Sequence, residues 1–198
     1  MVANGQAMRR DDGALSGDGI GDEDLLARIS DGDRVAFAML VTRHGNRSLA
    51  IAEHLLGDRA EAEDVVQESF VKLWTDASRF DPARARFATW FYRVLSNAAL
   101  DRLRRRRRLV ALPDGYDGVD GEDDAEETML RDQRVCRVRA AIDALPERQR
   151  LALVLCHFEG ISNREAGEIM KLGVKGVESL LVRARRQLRA SLAGEMEE

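Results

Sequence analysis

The sequence predicts an all-α protein of two helical domains joined by a flexible acidic linker. Apolar residues recur at helical spacing over most of the chain, and no stretch shows the alternation of a strand. Residues 109–130 carry eight acidic side chains and no basic one, and they offer little to bury. The flanking segments 22–108 and 131–198 are each mildly basic, which the formal net charge of -4 conceals. This shift in charge sets the predicted domain boundaries.

Composition places the chain among globular proteins. Its 198 residues are 33% charged and 44% hydrophobic, which suits one or two small domains. No run approaches the ~18 to 20 apolar residues of a membrane span, and the N-terminus has no apolar signal core, so we expect a cytoplasmic protein without membrane insertion. Cys136 and Cys156 lack the spacing of a disulfide framework or a zinc site. We expect no metal and no cofactor.

Residues that cap or interrupt helices define the helical elements of the first domain. Residues 1–21 are rich in Gly and Asp and predict a flexible tail. Gly57 and the segment FDPARAR interrupt the helical periodicity that follows. The predicted helices are Asp24–Ser30, Arg34–Leu56, Arg59–Ser78 and Phe87 to about Arg107.

The helix after Gly57, DRAEAEDVVQESFVKLW, has an acidic outer face. Such a face repels DNA, so it either binds a protein partner or serves only solubility. Its outward residues are Glu61, Asp64, Gln67, Glu68 and Lys72.

Aromatic and basic residues are interleaved at the end of the first domain. Seven of the ten aromatic side chains fall between Phe70 and Tyr92. Because aromatic rings stack on unpaired bases while arginines neutralise the strand, the pattern is typical of a surface for single-stranded nucleic acid. The interleaved arginines are Arg79, Arg84, Arg86 and Arg93.

Helical spacing divides these aromatic residues between a core and an outer side. We expect Phe70, Phe87 and Phe91 to fill the core, while Trp90, Arg93 and Asn97 share another side of one helix. Trp90 and Tyr92 cannot easily both face inward, so at least one of them should be exposed. The same helix ends in Arg102 and five consecutive arginines, 104–108, of which some should meet phosphate if the helix lies along DNA.

Residues 145–188 predict a helix followed by a helix-turn-helix. Pro146 suits the first turn of a helix that runs to Phe158. Ser162 and Glu165 form the capping box of the next helix, and Gly173 is available for the turn. The last helix would enter a major groove with its outer face; the alternative is a small bundle with a basic surface. The candidate DNA contacts are Arg164, Lys175, Glu178, Ser179, Arg183, Arg185 and Arg186.

The linker is long enough to let both domains bind one duplex. The 22 residues of the linker reach at most ~80 Å when extended. Two DNA elements two helical turns apart are separated by ~70 Å. The acidic segment can alternatively mimic nucleic acid and occupy a basic channel.

In this order the motifs resemble those of the group IV, or extracytoplasmic function, sigma factors of the sigma-70 family. The resemblance covers Asp22 to about Leu192. DRAEAEDVVQESFVKLW resembles region 2.2, FDPARARFATWFYRVLSNAALDRLRRRRR resembles regions 2.3 and 2.4, and residues 145–190 resemble region 4. The fold class implied is a region 2 bundle and a region 4 helix-turn-helix domain.

The resemblance implies a factor that directs bacterial RNA polymerase to promoters and has no catalytic site of its own. The acidic outer face would bind the clamp helices of the core enzyme, region 4 would contact the flap and read the −35 element of promoter DNA, and an anti-sigma factor would mask these surfaces. Residues implied to melt and read the −10 element are Arg79, Arg84, Arg86, Trp90, Tyr92, Arg93, Asn97, Arg102 and Arg105.

Some residues depart from the pattern of the family. Gly176, Glu178 and Leu180 stand where Thr, Lys and Arg are frequent, and Lys171 stands where a turn glycine is usual. Glu178 can accept a hydrogen bond from a cytosine amino group. Two alternatives to an active sigma factor remain: a sigma-like decoy that binds only an anti-sigma factor, and a helix-turn-helix repressor. A nuclease is disfavoured, because the sequence shows no carboxylate and histidine set with metal spacing.

Overall fold

The computed structural model describes residues 19–110 and 126–193, with the side chains of 19–108 and 135–193. All regular structure in these residues is helical, as predicted. Most of the predicted tail and most of the predicted linker lie outside the described residues. The helices are α1 (Asp22–Ser30), α2 (Arg34–Leu56), α3 (Arg59–Asp76), α4 (Phe87–Val110), α5 (Glu126–Asp143), α6 (Glu147–Leu153), α7 (Asn163–Met170) and α8 (Val174–Ala193); a 3-10 turn (Ala77–Arg79) follows α3, and a π-helical turn (Val154–Phe158) follows α6.

The first four helices form a bundle around α2. Asp33 caps α2 by accepting hydrogen bonds from two backbone N–H groups, and Gly57 ends it with a φ of 73°, a left-handed conformation that glycine adopts without steric cost. Both ends of α2 therefore lie where the sequence predicts them. Phe87 and Phe91 are fully buried and stack on each other at 5.6 Å, so their predicted place in the core is confirmed.

Helix α5 is an element that the sequence analysis did not predict. It begins at Glu126, inside the predicted acidic linker, and runs to Asp143. Val135 and Val138 on this helix are exposed, whereas Ala141 near its end is buried, so these three apolar residues do not form one continuous buried stripe. Because the sequence signal of a helix is an apolar stripe, α5 leaves little trace in the sequence.

Helices α7 and α8 form the predicted helix-turn-helix. The Ser162 hydroxyl accepts from the N–H of Glu165, and the Glu165 carboxylate accepts from the N–H of Ser162, so the predicted capping box is confirmed. Val177, Leu181 and Ala184 form the buried side of α8. The turn itself uses Lys171 rather than Gly173 for its left-handed residue, with a φ of 53°.

Replacing Ser162 with alanine should lower the free energy of unfolding by about 1 kcal/mol, because the N–H of Glu165 loses its partner. Denaturant unfolding followed by circular dichroism measures the change. Ser191→Ala is the control, since Ser191 is exposed on the last turns of α8. Equal stability of the two variants would show that the capping box contributes nothing to the fold.

The two domains are docked against each other in this structure. Apolar side chains of α2 and of the second domain, including Leu55 and Leu155, belong to one buried cluster. Helix α4 packs on α7, and α2 packs on the π-helical turn. We refer to this as the docked arrangement.

Candidate nucleic-acid interface

The outer face of α8 is open to solvent along its length. Every predicted DNA contact of the second domain is exposed. Arg164 on α7 pairs with Glu168 at 3.5 Å, and Arg185 on α8 lies 3.2 Å from the imidazole of His157, measured between Nη2 and Nε2. Val182 is 62% exposed between the polar residues of this face. The arrangement is that of a recognition helix, with its buried side on the domain and a polar and cationic side outward.

The loop between the 3-10 turn and α4 presents its arginines to solvent. The side chains of Arg79 and Arg84 are 81% and 86% exposed. Each pairs with a nearby carboxylate, Arg79 with Asp76 at 3.3 Å and Arg84 with Asp81 at 3.1 Å. Exposed pairs of this kind contribute little to stability, so these guanidiniums can exchange their carboxylate for a phosphate at small cost.

The structure corrects the expected position of Tyr92. Its side chain is only 5% exposed, because its hydroxyl lies 3.0 Å from Nδ1 of His44 on α2, whose Nε2 in turn lies 2.7 Å from Asp22. Burial raises the pKa of Tyr92 to about 12. Trp90 is half-buried, with its ring centroid 5.6 Å from that of Phe80. Both rings therefore pack inward, and Trp90 alone retains an accessible part.

Arg93 faces the second domain in the docked arrangement. Its Nη2 donates to the carbonyl oxygen of Glu168 at 2.7 Å, and its Nε donates to that of Ile169 at 3.3 Å. These carbonyls end α7, where a cation also meets the negative end of the helix dipole. Asn97, one turn further along α4, is exposed.

The arginine-rich end of α4 pairs with the acidic outer face of α3. Arg102 lies 3.6 Å from the carboxylates of both Asp64 and Glu68, and Arg106 lies 3.6 Å from that of Glu61. Gln67, Lys72 and Arg105 are exposed, whereas Glu61 is half-buried. The surface predicted for a protein partner and the surface predicted for phosphate are therefore adjacent and partly neutralise each other.

Several polar residues hold the domains together, and the sequence gives no sign of this role. Arg47 of α2 donates from Nη2 to the carbonyl oxygen of Glu159 at 2.6 Å, and its Nε lies 3.5 Å from the Glu159 carboxylate. Arg150 of α6 donates to the carbonyl oxygen of Leu55 at 2.8 Å. No local pattern signals these contacts, since the partners are about 100 residues apart in the chain.

Glu159→Gln should gain stability relative to the wild type as the pH rises from about 4 to 7. Burial raises the pKa of Glu159, although the charges of Arg47 and His54 act against it. A carboxyl with a raised pKa in the fold stabilises it most below the ordinary value of 4.5, and this contribution is lost as the pH rises through the raised pKa. Thermal unfolding of both proteins across this range measures the difference, and a difference independent of pH would contradict the assignment.

The described residues show neither a metal centre nor a membrane span. No group of three or more His, Cys, Asp or Glu side chains in them is arranged to hold a metal ion. None of their helices is long and apolar enough to cross a bilayer. Cys156 is half-buried, and burial raises the pKa of its thiol, which disfavours the reactive thiolate.

Two parts of the chain match known protein families. Residues 40–109 match the family model for sigma-70 region 2, and residues 137–188 match that for sigma-70 region 4. The chain is 33% identical over 181 residues to the RNA polymerase sigma-H factor of Pseudomonas aeruginosa, covering 86% of this chain and 93% of that protein. It is 38% identical over 157 residues to the ECF RNA polymerase sigma factor SigE of Mycolicibacterium smegmatis, covering 78% of this chain but only 60% of that protein.

A solved structure with a similar fold supports this identification. The structure of CnrH in complex with the cytosolic domain of CnrY matches with a TM-score of 0.64 and 32% identity, over 88% of this chain and 98% of that one. The helix-turn-helix of α7 and α8 agrees with these matches. The chain belongs to the extracytoplasmic function sigma factors of the sigma-70 family.

Proposed function

We propose that this chain directs core RNA polymerase to a set of promoters by reading two DNA elements and helping to separate the strands. The observation that carries the proposal is the presence, in one chain, of an exposed recognition face on α8 and of exposed arginines in the loop before α4, next to the accessible part of Trp90. Phosphate contacts along α8 would position it in the major groove of the −35 element. The chain itself would act in the cytoplasm and catalyse no reaction, because the polymerase does the chemistry.

The −10 element would be read by the loop before α4 and by α4 itself. Arg79, Arg84 and Arg86 are exposed and can follow the strand, while the accessible part of Trp90 can support an unpaired base. The exposed end of Lys72 and the carboxylates of α3 would bind the clamp helices of the core enzyme, and region 4 would contact the flap.

The docked arrangement must open for this function. The −35 and −10 elements lie ~70 Å apart along B-form DNA, whereas Arg93 of α4 is within hydrogen-bonding distance of α7. An anti-sigma factor is the proposed partner that opposes opening, by analogy with CnrH, whose solved structure holds the cytosolic domain of CnrY.

Run-off transcription with bacterial core polymerase and host promoter DNA tests the proposal. Transcripts that start at a defined promoter only when this protein is present are the expected result. Glu178→Ala and Arg186→Ala are matched variants on the recognition face, and we expect each to reduce promoter-dependent transcripts without weakening core binding. Core binding without any promoter-dependent transcript over a library of host promoters would favour the decoy, and binding to DNA without binding to core would favour a repressor.

A further inference from the structure

A basic cleft lies between α4 and the second domain, on the side of α4 that faces α7. Its volume is about 260 Å³. Of the residues that the structure describes, four cations and no carboxylate line it. We call it the interdomain cleft and define it by Arg93, Ser96, Asn97 and Arg104 of α4, Arg148 of α6 and Lys171 of the turn.

The positive charge of the interdomain cleft is only partly compensated. Arg104 is paired with Glu147 at 2.9 Å and with Asp101 at 3.0 Å. Arg93 and Arg148 instead donate to backbone carbonyl oxygens, and no hydrogen bond or ion pair within the described part of the chain involves the ammonium group of Lys171. A guanidinium has five N–H donors, and these contacts use at most two per arginine. Three cations therefore face the cleft without a carboxylate.

A buried hydroxyl on the wall of the interdomain cleft points to a ligand as well. Ser96 is only 2% exposed and lines the cleft, yet its Oγ has no hydrogen-bond partner among the residues that the structure describes. Serine hydroxyls on helices commonly bond a preceding carbonyl oxygen, as Ser48 and Ser69 do here. A buried polar group without a partner costs roughly 1–3 kcal/mol, so an oxygen-bearing ligand would remove this cost.

We propose that the interdomain cleft binds a small phosphorylated ligand through a diphosphate or longer polyphosphate group. Arginine and lysine together with a hydroxyl donor suit phosphate oxygens, which accept several charge-assisted hydrogen bonds. The cleft lies just below the ~300–1,000 Å³ of sites for drug-sized molecules, and this size fits a diphosphate better than a nucleic-acid strand.

Binding at this position stabilises the docked arrangement. The ligand contacts residues of both domains, and a ligand that binds only one conformation shifts the equilibrium toward it. The cleft includes Arg93 and Asn97, which the proposed function assigns to the −10 element, so the ligand opposes promoter binding. This second consequence rests on the proposed function, whereas the binding itself does not.

Isothermal titration of the full chain with inorganic pyrophosphate, at fixed ionic strength and without divalent cations, tests the site. One saturable site per chain is expected. Lys171→Gln removes a charge-assisted hydrogen bond and should weaken binding about tenfold or more, and Ser96→Ala should weaken it about three- to tenfold. Arg34→Gln is the control, because it removes one positive charge from an exposed side chain that lies outside the cleft and outside the proposed DNA contacts, and it should leave the affinity unchanged.

Two further experiments test the same site. Arg47 lies outside the cleft, but its replacement in Arg47→Ala loosens the docked arrangement and should therefore weaken pyrophosphate binding as well. ADP in place of pyrophosphate identifies the source of the phosphates: equal affinity indicates that only the diphosphate is bound, and higher affinity indicates a nucleotide. Circular dichroism confirms that each variant is folded.

Absence of saturable binding up to ~10 mM, which corresponds to less than about 3 kcal/mol of binding free energy, would overturn the inference. An equal loss in Lys171→Gln and Arg34→Gln would also overturn it, because that outcome reflects general attraction of anions to a positively charged protein. Promoter-dependent run-off transcripts without pyrophosphate binding would leave the proposed function standing and remove only this site. Pyrophosphate binding without such transcripts would do the reverse.

Discussion

Replacing Arg150 with alanine is expected to lower the free energy of unfolding by about 2–3 kcal/mol and to split thermal unfolding into two transitions. Arg150 is 2% exposed and joins three elements. It donates to the carbonyl oxygens of Leu55 in α2 and Asp143 in α5, and it pairs with the Asp143 carboxylate at 2.9 Å. Its loss leaves the carbonyl oxygen of Leu55 without this partner at the contact between the domains. Because the side chain of Asp143 is 40% exposed, the cost falls below that of a fully buried ion pair.

Differential scanning calorimetry measures both effects. The wild type should unfold in one transition if docking couples the domains, and Arg150→Ala should unfold in two. Arg150→Lys keeps the charge with fewer donors and should give an intermediate loss. Arg34→Ala, at an exposed position in the first turn of α2, is the control and should leave the calorimetric profile unchanged. A single transition with an unchanged midpoint in Arg150→Ala would show that this contact does not hold the domains.

Replacing Trp90 with alanine is expected to reduce open-complex formation roughly five- to hundredfold, since stacking on an aromatic side chain contributes ~1–3 kcal/mol per base. The structure leaves Trp90 as the accessible aromatic residue of α4, because Phe87, Phe91 and Tyr92 are buried. Its ring also lies 5.6 Å from that of Phe80, so part of its surface supports the fold.

Permanganate reactivity of thymines at the −10 element measures strand opening, and native gel shift measures binding to core polymerase. Trp90→Phe retains an aromatic face and should recover part of the activity, whereas Trp90→Leu retains apolar packing and should not. We expect both variants to bind core like the wild type. Loss of core binding in Trp90→Ala would show instead that the side chain acts through the stability of the bundle.

Local features of the chain were predictable, and contacts between distant segments were not. The ends of α2 and the capping box of α7 follow from short-range chemistry at Asp33, Gly57 and Ser162, and the structure has them where the sequence indicates. The family resemblance is confirmed by the matches to regions 2 and 4. The specific nucleic-acid contacts stay predictions.

The burial of Tyr92 shows why the rest was inaccessible from sequence. The helical period alone places Tyr92 between the buried and the exposed side of α4. Its inward position depends on His44, which is 48 residues away in the sequence and offers the hydroxyl a hydrogen-bonding partner. The turn between α7 and α8 was indicated only in part. Gly173 was available for it, whereas the family pattern places the turn glycine at position 171, and the structure has its left-handed residue at Lys171 while Gly173 takes an ordinary conformation.

Because of the π-helical turn after α6, the docking of the two domains depends on the number of residues in this segment. The N–H of Glu159 bonds the carbonyl oxygen of Val154, five residues back, so the turn holds one residue more than an α-helical turn does. Each residue advances an α-helix by about 100° and 1.5 Å. Deleting one residue here would give a regular α-helix but would rotate Glu159 and the helix-turn-helix away from α2. Among homologues, the number of residues between α6 and α7 should therefore separate chains that can adopt this docking from those that cannot, even where the residues of the interface are identical.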